Sequence, residues 1–126
     1  MYGLRILSEP GKGRLCSEGR YAGDLSGDLS ADIVVFASPI YYFTLSAQLQ
    51  AVIHRTYAID IPKNVKKVAL IMSSGSKFVY GAAITEYFQS IVEYWGVENA
   101  GIFTANGRQN KSKKKRMELY RFGKSL

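Results

Sequence analysis

Apolar residues in this chain fall either into short unbroken runs or into longer stretches where they recur every third or fourth position. Ile33, Val34, Val35, Phe36 and Ala37 form one unbroken run, introduced by Asp32 and closed by Ser38 and Pro39. A strand with water on one face alternates polar and apolar residues, so this run predicts a strand over 33–37 covered on both faces, as in the middle of a parallel sheet. Pro39 has no N–H for a ladder and disfavours the α region at Ser38, which predicts that the chain leaves the sheet there. Beyond the aromatic stretch Tyr41, Tyr42 and Phe43, the residues Leu45, Leu49, Val52, Ile53 and Tyr57 recur at helical spacing, with Gln48, Gln50 and Arg55 between them. That stripe predicts a helix over 46–58.

The same alternation continues. Val68 to Met72 supplies the apolar part of a strand over 66–72, which runs into the small-residue loop Ser73, Ser74, Gly75, Ser76. Ile84, Phe88, Ile91 and Trp95 form a stripe that predicts a helix over 80–95, closed by Gly96. A third strand over 99–105 ends at Asn106 and Gly107, and a last helix over 112–122 would turn Met117, Leu119 and Tyr120 towards the sheet. The order strand–loop–helix, repeated, predicts an α/β fold with parallel strands near 33–37, 66–72 and 99–105, helices on both faces and right-handed crossovers. Residues 1–30 are less regular. Tyr2 to Leu7 offers a weak strand, Glu9 to Gly23 reads as loop, and the duplicated GDLS after Ala22 is too short for a repeat architecture. The expected organisation is an irregular segment over 1–30 and an α/β domain over 31–126.

A length of 126 residues suits one domain, and an apolar fraction of 47% with 3 prolines argues against disorder. No stretch has the length of a membrane span, and Glu9, Pro10, Lys12 and Arg14 interrupt the place of a signal-peptide core. Cys16 is the single cysteine, which excludes an intramolecular disulfide and points to a cytoplasmic setting. The net charge of +7 is concentrated in Lys111, Lys113, Lys114, Lys115, Arg116, Arg121 and Lys124. That run is either a solvated helix face or an attractor of phosphate groups. It contains no interleaved aromatics and no nucleic-acid motif, so it predicts weak, salt-sensitive binding of polyanions and argues against a dedicated nucleic-acid site.

Two loops hold the candidate chemistry. Pro39, Ile40, Tyr41, Tyr42 and Phe43 combine a turn with aromatic surface, and Ser73, Ser74 and Gly75 offer hydroxyls and close backbone approach from the neighbouring strand end. Loops at the carboxyl ends of parallel strands are where ligands bind in such folds. Two readings are open at this point: a flat cleft for a planar cofactor, or aromatics that cover the sheet edge beside serines that cap the next element. Gly11-Lys12-Gly13 lacks the spacing and the terminal Gly-Lys-Ser/Thr of a nucleotide loop. His54 has no neighbouring metal-ligand cluster in the sequence and reads as a structural or solvent-facing helix residue.

The residues from Ala31 to Tyr57 resemble the NADPH-dependent FMN reductase family and its flavodoxin-like NAD(P)H-dependent oxidoreductases. The likeness rests on Ala31-Asp32, on Ser38-Pro39-Ile40-Tyr41-Tyr42-Phe43, on Ser46-Ala47-Gln48-Leu49, and on Arg55 with Tyr57. It extends through the strand at Val68 to Met72 with its serine-glycine loop, Tyr87, Trp95-Gly96 and Ala100-Gly101-Ile102, covering roughly residues 24 to 126. The resemblance implies a flavodoxin-like three-layer parallel sheet with FMN at its carboxyl edge. It implies that Pro39, Ile40, Tyr41, Tyr42 and Phe43 contact the ring and ribityl chain, and that Ser73, Ser74 and Gly75 line the other side. It further implies NAD(P)H as hydride donor and a small electron acceptor, with no side chain needed as acid or base; no metal is expected, and the small three-stranded sheet adds the expectation of a homo-oligomer. Two positions depart from the family pattern. No strand, glycine-serine loop and helix for the FMN phosphate precedes Ala31, so the domain reads as truncated or atypical at its amino side. His54 stands where an acidic residue is common. An impaired, weakly FMN-binding monomer is the resulting expectation, with a noncatalytic, partner-binding flavodoxin-like protein as the alternative.

Overall fold

The computed structural model describes residues 31–57 and 61–126. Expectations for residues 1–30 lie outside this range. Four strands form one sheet: β1 (Ile33–Tyr41), β2 (Thr44–Leu45), β3 (Lys67–Ser74) and β4 (Glu98–Asn106), in the order β2-β1-β3-β4. β1, β3 and β4 are mutually parallel, from Ile33 beside Lys67 to Pro39 beside Ser73, and from Lys67 beside Glu98 to Ser74 beside Asn106. The three predicted strands therefore exist and pair in parallel. The fourth, β2, is a two-residue antiparallel return against Ile40 and Tyr41.

The strand at Ile33 does not stop at Ser38 and Pro39 as its sequence predicts; it runs on to Tyr41. Pro39 is tolerated because, among the described residues, β1 has its long neighbour β3 on one side only, so the missing N–H can point away from a ladder. Nor is β1 covered equally on both faces. Phe36, Ser38 and Ile40 are buried, whereas Val35 is 42% exposed.

Helix α1 (Ala47–Thr56) begins at Ser46, whose hydroxyl accepts from the Leu49 N–H at 3.4 Å as an N-cap. Helix α2 (Gly81–Tyr87) continues into a π-helical stretch, Phe88–Glu93, and ends at Gly96, whose φ of +67° suits a residue without a Cβ. These helices lie on one face of the sheet. Their Ile53, Ala83, Tyr87 and Ile91 join Phe36, Val68, Leu70 and Met72 in one core. The rings of Phe36 and Tyr87 meet edge-on, with centroids 6.3 Å apart.

Helix α3 (Lys113–Ser125) comes after a 3-10 turn, Gly107–Lys111, and packs on the opposite face. Its hold is the Phe122 ring against Phe103, 4.5 Å between centroids, with Leu119 beside Ile71 and Phe103 around a gap of 20 Å³. Met117 and Tyr120, expected towards the sheet, are 50% and 58% exposed. Leu119 does turn towards the sheet as expected, but its half-buried companions are Ser112, Lys115 and Phe122, a stripe rotated from the expected one because Phe122 is the residue that finds a ring partner. No helix among the described residues is long and apolar enough to cross a membrane.

Candidate functional site

Parallel pairing brings the predicted loops together without further assumption. Pro39 sits beside Ser73 and Ser73 beside Ala105, so the carboxyl ends of β1, β3 and β4 form one edge. β1 leads into a tight hairpin rather than an open loop. Tyr41 pairs with Thr44, leaving Tyr42 and Phe43 as the two tip residues, with φ of +49° and +67°. Two-residue hairpins want positive φ at both tip positions, which is why Asn-Gly is usual there. Two aromatics in that conformation cost roughly 1–2 kcal/mol each through Cβ crowding. They gain little burial in return: Tyr42 is 95% exposed, Phe43 56% and Tyr41 64%.

The hairpin is locked from below. Ser38, buried, accepts from the Ser46 N–H at 2.9 Å and donates to the Pro39 carbonyl at 2.7 Å, while the Thr44 hydroxyl donates to the Tyr41 carbonyl at 3.1 Å. Aromatic side chains held in a disfavoured conformation by a rigid base point to a role at the surface.

The eight residues singled out in the sequence separate into two sets. Ile40 belongs to the core under α1 and α2, so its side chain is not at the edge. The Ser74 hydroxyl donates to Tyr80 Oη at 2.8 Å and also contacts the Ser76 carbonyl, while Tyr80 Oη donates to the Ala105 carbonyl at 2.8 Å. Ser74 has one proton for two acceptors, Tyr80 Oη and the Ser76 carbonyl, so its hydroxyl is taken up within the edge itself. Pro39, Tyr41, Tyr42, Phe43, Ser73 and Gly75 remain at the surface of the edge, and a Cβ placed on Gly75 would meet nothing within 4 Å.

Sequence reasoning missed the residues that close the other side. Asn110 donates through Nδ2 to the Ser74 carbonyl at 3.1 Å, and a Cβ at Gly107, where φ is +49°, would lie 3.6 Å from the Gly75 carbonyl. The 3-10 turn after β4 thus fixes the serine-glycine loop; the Asn106-Gly107 pair was the available signal. Exposed Arg108 and Lys111 lie in this turn, and Lys113, Lys114, Lys115 and Arg116 open α3 with no acidic residue in its first turn. Cations at a helix start oppose the helix dipole, so the fold places positive charge beside the sheet edge at some cost to α3.

Towards the amino ends of the strands, Tyr87 is 1% exposed, and its hydroxyl donates to Asn99 Oδ1 at 3.0 Å. Burial pushes its pKa up to about 12. Asn99 also accepts from the Gly101 N–H at 3.2 Å, which satisfies the irregularity where β4 slips against Val68 and Ala69.

A family characterised by a flavodoxin-like fold matches residues 28–122. The chain belongs to that flavodoxin-like family. It is also 30% identical over 93 residues to FMN-dependent NADH:quinone oxidoreductase 2 of Pseudomonas aeruginosa, an alignment covering 63% of this chain and 46% of that protein. The chain therefore aligns with less than half the length of that relative. The family match agrees with the resemblance carried by Ser38 to Phe43, and with the parallel sheet that this flavodoxin-like chain forms.

For the ring of an FMN, the residues at the edge fit: exposed aromatic faces on one loop, and a hydroxyl and an unobstructed glycine on the next. For its phosphate, the described residues offer the cations after β4 but no glycine-rich turn leading from a strand into a helix.

Proposed function

We propose that this chain is an FMN-dependent oxidoreductase that takes hydride from NAD(P)H and passes electrons to a small acceptor such as a quinone. The observation that carries the reading is the hairpin tip: Tyr42 and Phe43 are held at positive φ, exposed, beside Ser73 and Gly75 at the carboxyl edge of a flavodoxin-like sheet. The FMN-dependent relative supports the cofactor, and its NADH:quinone reaction supports a nicotinamide donor. When bound, the flavin would supply the redox chemistry itself.

The chain's own residues bind and orient. Tyr41, Tyr42 and Phe43 give planar apolar contact, and Pro39 shapes the wall from which they project. Ser73 offers a hydrogen bond at the ring's polar edge, and Gly75 allows backbone approach. Arg108, Lys111 and Lys113 raise the local positive potential, which draws phosphate groups of flavin and nicotinamide towards this edge. No side chain is assigned acid–base work. Since a phosphate anchor needs converging N–H groups or cations in fixed geometry, the single chain binds FMN weakly and a homodimer in the cytoplasm completes the site.

The test is an FMN titration, read by flavin fluorescence, on separately sized monomer and dimer fractions, then anaerobic NADH or NADPH with bleaching of the flavin absorbance. Weak binding by monomer, tighter binding by dimer and bleaching by nicotinamide are expected. Tight stoichiometric binding by monomer overturns the weak-site reading. Absence of flavin binding in every fraction overturns the oxidoreductase reading and leaves a noncatalytic flavodoxin-like protein.

A further inference from the structure

A second concave site lies away from the sheet edge. A groove of 330 Å³ runs between the C-terminal half of α1 and the helical segment that continues α2, lined by Ile53, His54, Tyr57, Glu86, Tyr94 and Trp95 among others. Both helices start at the carboxyl edge and run back, so these residues lie towards the sheet's amino edge, remote from the hairpin tip. The volume is in the range of small-molecule sites, about 300–1,000 Å³.

The lining has a specific chemistry. It presents aromatic rings from Tyr57, Tyr94 and Trp95, one carboxylate from Glu86 and the imidazole of His54, with no lysine or arginine. The rings differ in how they are held: Trp95 is pinned against Phe36, 6.1 Å between centroids at 56°, while Tyr57 and Tyr94 are 78% and 53% exposed. The α2 wall of the groove also departs from the chain's overall charge, while Arg55 of α1 is not among the lining residues. Between Gly81 and Trp95 there are Glu86 and Glu93 and no cationic residue, although the whole chain carries +7. Aromatic faces attract cations through the ring quadrupole, and a carboxylate beside them adds direct attraction; a metal ion would want more oxygen or nitrogen donors, and an anion would meet Glu86.

We infer that the groove between α1 and α2 binds a small organic cation of the quaternary or tertiary ammonium class, with Tyr57, Tyr94 and Trp95 as its aromatic walls and Glu86 as its counter-charge. The π-helical stretch Phe88–Glu93 shapes this site, since it contributes Gln89 and Ser90 to the lining and leads directly into Tyr94 and Trp95.

Trp95 is the chain's single tryptophan, so intrinsic fluorescence reads the groove directly. The full chain is titrated with tetramethylammonium and choline chlorides against sodium chloride at matched ionic strength, and with the neutral tert-butyl isostere of choline. A saturable change with the two cations, absent with sodium and at least several-fold weaker with the isostere, is expected. Glu86→Gln and Tyr94→Leu should each weaken binding by roughly 3- to 30-fold, and Tyr57→Leu serves as a second aromatic variant should Tyr94→Leu fail to fold. Equal binding of the isostere, or unchanged affinity in the folded variants, overturns the assignment in favour of a merely apolar groove. A signal that depends on protein concentration and does not respond to cations overturns it in favour of a second copy in the groove.

Discussion

The two faces of the sheet differ in how they are held. Towards α1 and α2, the sheet buries Phe36, Val68, Leu70 and Met72 against Ile53, Ala83, Tyr87 and Ile91, each of these eight at most 8% exposed. Towards α3 the contact is thinner, Phe122 on Phe103 with Leu119 beside Ile71, and α3 contains no buried residue. Cohesion from apolar burial therefore rests mainly on the first face, while the second is covered by the cationic helix α3. The same division recurs in the hairpin after β1, where Ile40 and Leu45 point into the core and Tyr41, Tyr42 and Phe43 point out. One short segment thus anchors the fold with some residues and presents aromatic surface with the others.

Substitutions separate the faces. Leu70→Ala, at a fully buried position, should lower the stability measured by urea unfolding by about 2–5 kcal/mol, with cooperative loss of all helical signal. Phe122→Ala should cost less, about 1–3 kcal/mol, since the ring is only partly buried and has one ring partner, and hydrogen exchange should rise in α3 before the core. Equal costs for the two would erase the distinction between the faces.

At the hairpin the sign reverses. Tyr42→Gly removes the Cβ that positive φ penalises and almost no burial, so the fold should gain roughly 0.5–1 kcal/mol after the extra chain entropy of glycine is counted. The same variant should lose flavin affinity in the FMN titration. A protein that is destabilised, or that keeps its flavin affinity, would show that the tip aromatic is not held there for ligand contact.

An effect of similar size, without a ligand readout, concerns Tyr87. Replacing it with Phe should cost about 0.5–1 kcal/mol, because Asn99 keeps its bond from the Gly101 N–H. Its pH signature is more specific. The folded pKa of about 12 lies above the ordinary tyrosine value of 10.0, so the unfolded chain releases this proton first. The stabilisation is complete below pH 10 and declines as pH rises towards 12, so thermal unfolding should shift downward across that interval and Tyr87→Phe should flatten the shift. An unchanged alkaline profile in the variant would place the dependence elsewhere.

Much of the architecture was legible in local pattern. Unbroken apolar runs at Val34 to Ala37 and Val68 to Met72, and helical stripes through Ile53 and Ile91, reflect burial that side-chain spacing must satisfy wherever it occurs. The edge location of Pro39, Ser73 and Gly75 also emerged from pattern, because parallel strands bring their carboxyl ends to one side. Individual roles within that edge did not. Ile40 and Tyr41 are adjacent and both largely apolar, and only the continued pleat of β1 decides that one enters the core while the other faces out.

Sequence alone determined the three long strands and the three helices that alternate with them, that those strands are parallel, and that positive charge gathers after β4, since periodicity and composition are properties of the chain itself. Tertiary structure decided the rest. It extended β1 through Pro39 because no long strand, among the described residues, needs the missing N–H. It turned Phe122 in place of Met117 and Tyr120 onto the sheet because Phe103 was there to receive it. It also joined Tyr57, Tyr94 and Trp95 in one groove, a grouping invisible along the chain because ligand chemistry depends on distances between residues that only packing sets.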